Sequence, residues 1–82
     1  MLKILYFARL RDEVGCSKEL LQWQDHFASV NDIKTLLNQR GEPWQQAFSD
    51  NILHAVNQHV VQSDHAITDG DEIAFFPPVT GG

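Results

Sequence analysis

The residues best suited to chemistry are the last two, Gly81 and Gly82, which place a backbone carboxylate at the end of the chain. Glycine adopts backbone angles closed to other residues, so a diglycine end fits a narrow channel. Pro77 and Pro78 precede it, and proline cannot donate to a sheet ladder and favours an extended conformation. We therefore predict that residues 77–82 form a stiffened tail with a reach of roughly 20 Å. The candidate working group is the carboxylate of Gly82, and the alternative is an inert, frayed chain end.

Other potential sites in the sequence are weaker. Cys16 is the single cysteine, and no His, Lys or second Cys stands where it would clearly depress the thiol pKa, so a structural thiol is favoured over a persulfide carrier. His54, His59 and His65 fall on separate segments without the close paired spacing of a zinc site. The sequence contains no Ser-His-Asp order, phosphate loop or HExxH motif. Side-chain catalysis is therefore not expected from this chain.

Length and composition indicate one small globular domain. A chain of 82 residues has room for one modest core and not for a deep catalytic cleft. No apolar run approaches the ~20 residues of a membrane span, and the N-terminal segment lacks the cleavage site of a signal peptide. We expect a soluble, cytoplasmic protein, which agrees with a single cysteine that cannot form an internal disulfide.

Charge is distributed unevenly along the chain. Residues 1–41 contain all six Lys and Arg together with five acidic residues, whereas residues 42–82 contain six acidic residues and no Lys or Arg. An acidic half that ends in a carboxylate argues against nucleic acid or an anionic membrane as a partner and favours a basic protein surface. The alternative is that these acidic residues only keep a small domain soluble.

Alternating and continuous apolar residues predict strands, and one segment predicts the main helix. The predicted strands are residues 2–8, 18–23, 52–57, 60–61 and 72–76. The helix signal opens at Ser29 as N-cap, with Asp32 three residues later, and Gly41 closes it. Residues 9–15 predict a turn or one short helix, and residues 43–48 a short helical turn with a proline near its start.

This order of elements is α+β, with one main helix laid across one mixed sheet. The first and last strands are the most apolar, so pairing them in parallel at the sheet centre buries both, with the helix in the crossover. That arrangement is the β-grasp, or ubiquitin-like, architecture, here predicted for residues 1–76. If Lys3 and Glu72 mark the side away from the helix, Phe7 and Phe76 are neighbours on the uncovered face together with Val60. An uncovered apolar patch usually marks a partner site, and the alternative is that a loop covers it.

The C-terminal run DGDEIAFFPPVTGG, residues 69–82, resembles the end of the small subunit of molybdopterin synthase, in the MoaD group of β-grasp sulfur carriers. Residues 55–58 and 64–70 fit the later strands of that family. Tyr6-Phe7-Ala8 and Arg11-Asp12 fit its first strand and the following turn. The resemblance covers both ends of the chain, while residues 17–50 match only in pattern.

The resemblance implies a sulfur-donating role. An ATP-dependent activating enzyme would adenylate Gly82, and sulfur from a donor protein would then displace AMP and leave a C-terminal thiocarboxylate. In the large subunit of molybdopterin synthase, this sulfur would pass to cyclic pyranopterin monophosphate and build the molybdopterin dithiolene, within a heterotetramer. Catalytic side chains would belong to the large subunit, and the chain itself would bind no cofactor or metal. The partner-binding residues predicted from the strand faces and the resemblance are Phe7, Arg11, Val60, Phe76, Pro77, Pro78, Val79 and Thr80, with Gly81 next to the reacting terminus.

Two alternatives remain open at this stage. A β-grasp carrier could deliver sulfur to thiamine thiazole synthesis or serve in protein conjugation, with the same fold and tail. A chain with an inert tail could be a non-catalytic binding domain, which would keep its full function after removal of Gly82.

Overall fold

The computed structural model describes residues 1–49 and 51–78, so the predicted tail residues Val79, Thr80, Gly81 and Gly82 lie outside the described part of the chain. Within it, short helices are interspersed among the strands of the first two thirds of the chain, and three strands follow. In chain order they are β1 (Leu2–Tyr6), α1 (Arg9–Val14), β2 (Lys18–Leu21), α2 (Val30–Asn38), α3 (Trp44–Ala47), β3 (Leu53–Val56), β4 (His59–Val61) and β5 (Glu72–Phe76). The longest of these helices has nine residues, and none in the described ranges is long and apolar enough to cross a membrane.

The strands form one sheet in the order β2-β1-β5-β3-β4. β1 and β5 pair in parallel at its centre, with Lys3 opposite Glu72 and Tyr6 opposite Phe75. The other neighbouring strands are antiparallel. The chain between the two central strands contains α2, as a parallel pair requires a crossover. This confirms the predicted β-grasp arrangement.

Helix α2 begins where the sequence predicts it. Ser29 is an extended N-cap residue, and the Asp32 carboxylate accepts hydrogen bonds from the backbone amides of Ala28 and Ser29 at 2.8 and 2.9 Å. This is the carboxylate half of a capping box, and these hydrogen bonds hold the pKa of Asp32 below its ordinary value. The helix ends at Asn38, three residues before the predicted Gly41, which adopts a left-handed φ of 83°.

The core lies between one face of the sheet and the helices. Ile4, Tyr6, Ile73 and Phe75 of the two central strands are 0 or 1% exposed. Above them lie the buried side chains of the helices, which are Leu10 of α1, Val30, Ile33 and Leu37 of α2, and Ala47 of α3. Removal of this apolar surface from water is the main force that holds the helices on the sheet.

Three predicted strands are shorter than expected, two of them for backbone reasons. β1 stops at Tyr6 rather than residue 8 because Ala8 takes φ 57° and ψ −137° and turns the chain into α1. β3 spans Leu53–Val56 rather than residues 52–57, because Asn57 and Gln58 take φ of 50° and 72°. Two successive positive φ angles are typical of a tight two-residue hairpin turn. The third shortened strand, β2, ends at Leu21 rather than residue 23.

A polar junction joins β2 to the segment after α2. The Arg40 guanidinium donates from Nη1 and Nη2 to the two Glu19 carboxylate oxygens at 2.9 and 2.7 Å. The Tyr6 hydroxyl donates to the same carboxylate at 2.9 Å, and Arg40 lies 4.5 Å from the centre of the Trp44 ring. The hydrogen bonds from Arg40, aided by the one from Tyr6, hold the pKa of the Glu19 carboxyl below its ordinary value although burial opposes them. A charged and hydrogen-bonded Glu19 is therefore part of the folded structure.

Candidate functional site

The helices of the described ranges all pack on one face of the sheet, and Lys3 and Glu72 identify the other face. They are register partners on the parallel central strands, and Lys3 Nζ lies 3.7 Å from a Glu72 carboxylate oxygen. Because side chains alternate along a strand, residues in phase with this pair share its side. We call this side the uncovered face; its members are Lys3, Leu5, Phe7, Lys18, Leu20, Leu53, Ala55, Val60, Glu72, Ala74 and Phe76.

Phe7 and Phe76 meet at one end of the uncovered face. The Phe7 amide donates to the Phe75 carbonyl at 3.1 Å, so the chain stays paired with β5 for one residue beyond β1. Tyr6 and Phe75 are buried in the core, so their successors point to the opposite side. Phe7 is 47% exposed, and Phe76 is half-buried beside its register partner Leu53.

Val60 lies on the same face, two strands away from β5. It is the register partner of Ala55 on β3, and Ala55 is the partner of Ala74 on β5. Val60 is 70% exposed. The structure thus brings Phe7, Phe76 and Val60 to one apolar surface.

The described part of the chain ends beside this surface. Phe76 is the last residue of β5, and Pro77 and Pro78 follow it, the first half-buried and the second exposed. Proline cannot extend a sheet ladder, which explains the end of the strand. The described chain therefore ends, at Pro78, at the rim of the uncovered face.

Arg11 is placed differently from the other predicted partner-binding residues. It lies on α1, not on the sheet, and its side chain is 55% exposed with Nε 3.8 Å from a carboxylate oxygen of Asp12. It lines an open surface depression that also contains Cys16 and Lys18. Lys18 is the register partner of Leu5, so Arg11 flanks the β2 side of the uncovered face.

Cys16 is partly buried at the same end of β2. Its Sγ lies 4.0 Å from a Glu19 carboxylate oxygen. Burial, and next the Glu19 charge, raise the pKa of the thiol, which disfavours the reactive thiolate. This environment is that of a structural thiol.

The histidines do not converge. His54 is buried, and its Nδ1 is 2.9 Å from the Val61 carbonyl oxygen, while His59 Nδ1 is 3.1 Å from the Asn57 carbonyl oxygen. Within residues 1–49 and 51–78, no group of three or more His, Cys, Asp or Glu could hold a metal ion.

The acidic turn before β5 has a structural role. Asp71 accepts hydrogen bonds from the Thr68 amide at 2.9 Å and from the Asn57 side chain at 3.0 Å. Burial alone would raise the pKa of Asp71, but these hydrogen bonds bring it below the ordinary value. Asp69 forms an ion pair with the Met1 ammonium group. This turn precedes β5, so it lies at the opposite end of that strand from the tail.

Residues that the sequence reasoning did not assign complete the uncovered face. They are Leu20, which is 65% exposed, together with Leu53 and Ala55. The place of Leu20 depends on its register with Lys3 on β1, and the places of Leu53 and Ala55 depend on which residue of β3 faces which residue of β5. The sequence signal for Ala55 was the turn at Asn57 and Gln58, because this turn sets the pairing of β3 with β4 and so places Ala55 opposite Val60.

A β-grasp sheet whose central strand continues into the C-terminal residues places the chain in the ubiquitin-like class of folds. The chain belongs to the ThiS family, whose model matches residues 4–82. It is 42% identical to the molybdopterin synthase sulfur carrier subunit of Escherichia coli strain K12 and 41% identical to that of Haemophilus influenzae Rd. Both matches span 83 residues and cover all of this chain and of the relative.

A solved structure supports the same fold. The putative molybdopterin converting factor subunit 1 from Pyrococcus furiosus matches with a TM-score of 0.78 and 29% identity, over 95% of this chain and 97% of that chain.

Proposed function

We propose that this chain is the sulfur carrier subunit of a molybdopterin synthase. The observation that carries the proposal is the match to the Escherichia coli sulfur carrier subunit, 42% identical over the whole length of both chains. The uncovered apolar face, with the tail leaving from its rim, supports it, because a carrier must present its terminus while it binds the protein that uses it.

The reacting group is the α-carboxylate of Gly82. A carboxylate is a poor acyl donor because its resonance-stabilised anion has no leaving group, so it must first be activated. An activating enzyme joins the carboxylate oxygen to the α-phosphate of ATP and releases pyrophosphate. A sulfide-level nucleophile (HS⁻) supplied by a donor protein then attacks the carbonyl carbon and displaces AMP, which leaves a thiocarboxylate.

Sulfur transfer takes place on the large subunit. The thiocarboxylate sulfur displaces an oxygen substituent of the cyclic pyranopterin precursor, which leaves as water or as phosphate, and hydrolysis of the resulting acyl–sulfur bond leaves sulfur on the precursor and restores the Gly82 carboxylate. Two such deliveries build the dithiolene. The catalytic side chains belong to the large subunit, which must stabilise the charge that develops. The carrier binds no cofactor of its own and acts in the cytoplasm.

The uncovered face supplies the binding surface for the large subunit. Phe7, Phe76 and Val60 are exposed or half-buried apolar side chains of this face. Pro77 and Pro78 direct the chain towards the partner. Val79 and Thr80 bind the partner, and Gly81 is next to the reacting terminus. Arg11 contacts the partner at the β2 side.

Intact-mass analysis tests the proposal directly. After incubation with the activating enzyme, ATP and a sulfur donor, the mass should rise by the difference between sulfur and oxygen, and fragment spectra should place the change on the last residue. A variant without Gly82 is the matched control and should remain unchanged while keeping its fold. If the full-length chain stays unmodified by an activating enzyme that modifies another carrier, the proposal is wrong.

Delivery of sulfur to thiamine thiazole synthesis is the second candidate function. The match to the ThiS family model over residues 4–82 is the observation that favours it. The thiocarboxylate form distinguishes the two. It should convert cyclic pyranopterin monophosphate in the presence of the large subunit and should give no product with a thiazole-forming enzyme.

A further inference from the structure

Four residues of the uncovered face stand in one row across four strands. Leu5 on β1 is opposite Ala74 on β5, Ala74 is opposite Ala55 on β3, and Ala55 is opposite Val60 on β4. The two inner positions are alanines, whose side chain is a single methyl group. The face is therefore lowest in the middle of the row.

The exposed fractions of these residues agree with a low centre and a higher edge of the row. Val60 is 70% exposed, whereas Ala55, directly opposite on the next strand, is 7% exposed. Neighbouring strands lie about 4.8 Å apart, so the backbones of Leu5 and Val60 are roughly 14 Å apart across the floor. Phe76 and Leu53 form the wall on the tail side, since they are the next register pair in phase with Ala74 and Ala55.

We propose that Ala55 and Ala74 form the floor of an apolar recess that receives one uncharged, apolar side chain of the large subunit. The inference rests on the proposed function and deepens it. Ala55 is 7% exposed and Ala74 is half-buried, so the incoming side chain would rest mainly on Ala74.

The charges around the recess favour an apolar side chain over a charged one. Lys3 and Glu72 border it on the side away from the tail and form an ion pair with each other. A charged side chain placed over the two methyl groups would lose water without gaining a free counter-charge, which is unfavourable. An apolar side chain has no such cost and gains from burial.

The recess lies beside the start of the C-terminal tail, so the side chain that enters it should belong to the protein that binds the tail. Its Phe76 wall is followed at once by Pro77, so a protein that holds the tail lies next to this rim. The face measures roughly 20 Å across five strands and 15 Å along them. This gives on the order of 300 Å², well under the ~800 Å² per partner of a standard interface. The recess is thus near the middle of the contact, where binding energy concentrates.

Filling the recess tests the inference. Ala74→Leu puts three further carbon atoms on the floor, and Ala74→Val is a smaller change that suits a strand. Both should weaken binding to the large subunit by about tenfold or more through faster dissociation, since overpacked contacts exclude the incoming side chain. Ala66→Leu is the matched control, because Ala66 is exposed and lies outside the uncovered face; it should bind as the unaltered chain does.

The outcomes separate this inference from the proposed function. If neither the unaltered chain nor Ala66→Leu binds the large subunit, the proposed function fails. Thermal unfolding shows whether the two Ala74 variants are folded. If they are folded and bind the large subunit as tightly as the unaltered chain and Ala66→Leu do, the recess is empty and the inference is wrong. If neither Ala74 variant folds, position 74 has no space for a ligand, and the inference is also wrong. Truncation of one apolar residue of the large subunit should restore binding of Ala74→Leu and thereby identify the occupant.

Discussion

Phe75 and Phe76 are consecutive residues of β5 and point to opposite sides of the sheet. Phe75 is 0% exposed and its ring lies 6.3 Å from that of Tyr6 in the core, whereas Phe76 is half-buried on the uncovered face. The first ring therefore stabilises the fold, and the second is available to a partner. Substitutions at the two positions should separate folding from binding.

Phe76→Ala should weaken binding to the large subunit while the domain stays folded. Buried aromatic anchors often cost about 2 kcal/mol or more when truncated, roughly thirtyfold in affinity. The loss should appear as faster dissociation at any salt concentration, because an apolar contact is not screened. Surface-binding kinetics on the separated subunits measure it. Gln39→Ala, at an exposed position at the end of α2 and outside the uncovered face, is the control with little expected effect, and unchanged dissociation of Phe76→Ala would remove this residue from the interface.

Glu19→Gln should destabilise the fold. The substitution removes the charge that Arg40 and Tyr6 contact and leaves the guanidinium partly buried without its counter-charge, at a cost of about 1–3 kcal/mol. For a domain of this size, the thermal midpoint should fall by about 4–8 °C for each kcal/mol. Glu13→Gln is the control, because its pair with Arg9 is at the surface, where such pairs contribute about 0–1 kcal/mol. Equal midpoints for the two variants would show that the junction adds nothing.

Acid should weaken the same junction. The pKa of Glu19 is lower in the folded protein than in the unfolded chain, so the unfolded chain takes up its proton first as pH falls. The contribution of Glu19 is therefore complete above about pH 4.5, its ordinary range, and declines at lower pH. Glu19→Gln should lack this component of the acid transition.

The sequence was sufficient for the features that depend on local pattern. The N-cap at Ser29, the strand of alternating residues around Lys3 and the stop at Pro77 all follow from neighbouring residues. The pairing of the first and last strands also followed, because those strands are apolar on both faces and only the sheet centre buries both. Phe7, Val60 and Phe76 could therefore be placed on one face in advance.

Side-chain contacts and strand registers between distant segments could not be predicted in this way. The contact of Glu19 with Arg40 joins residues 21 positions apart, and nothing in their local sequence marks them as partners. The alanine floor depends on the register of β3 against β5, and a shift of one residue would turn Ala55 to the other face. The positive φ of Ala8 was likewise hidden, because alanine rarely adopts it.

Ala8→Gly should stabilise the domain. Ala8 has φ 57° and ψ −137°, a conformation that costs non-glycine residues of order 1–3 kcal/mol. Glycine relieves it at an entropic cost of about 0.5–1 kcal/mol, so a net gain of about 1 kcal/mol is expected in the free energy of unfolding. Denaturant titration measures it. Ala28→Gly, at an exposed position without a positive φ, should lower stability instead, and a similar loss for Ala8→Gly would show that Ala8 is unstrained.

His54 should make stability depend on pH near neutrality. Its ring is buried between Val61 and Phe75, and burial first, with the charge of Lys34 adding to it, lowers the pKa of the imidazole despite the hydrogen bond to Val61. Because the unfolded chain binds the proton more readily, the free energy of unfolding should fall as pH drops below about 6.5, the ordinary value of histidine. Denaturant midpoints measured between pH 7.5 and pH 5, values that span roughly the range of histidine titration, would record the decline. His54→Gln should flatten that decline, and His59→Gln, at an exposed ring, should preserve it. If His54→Gln and the unaltered chain lose stability in parallel, the decline comes from another group and His54 is not the residue responsible.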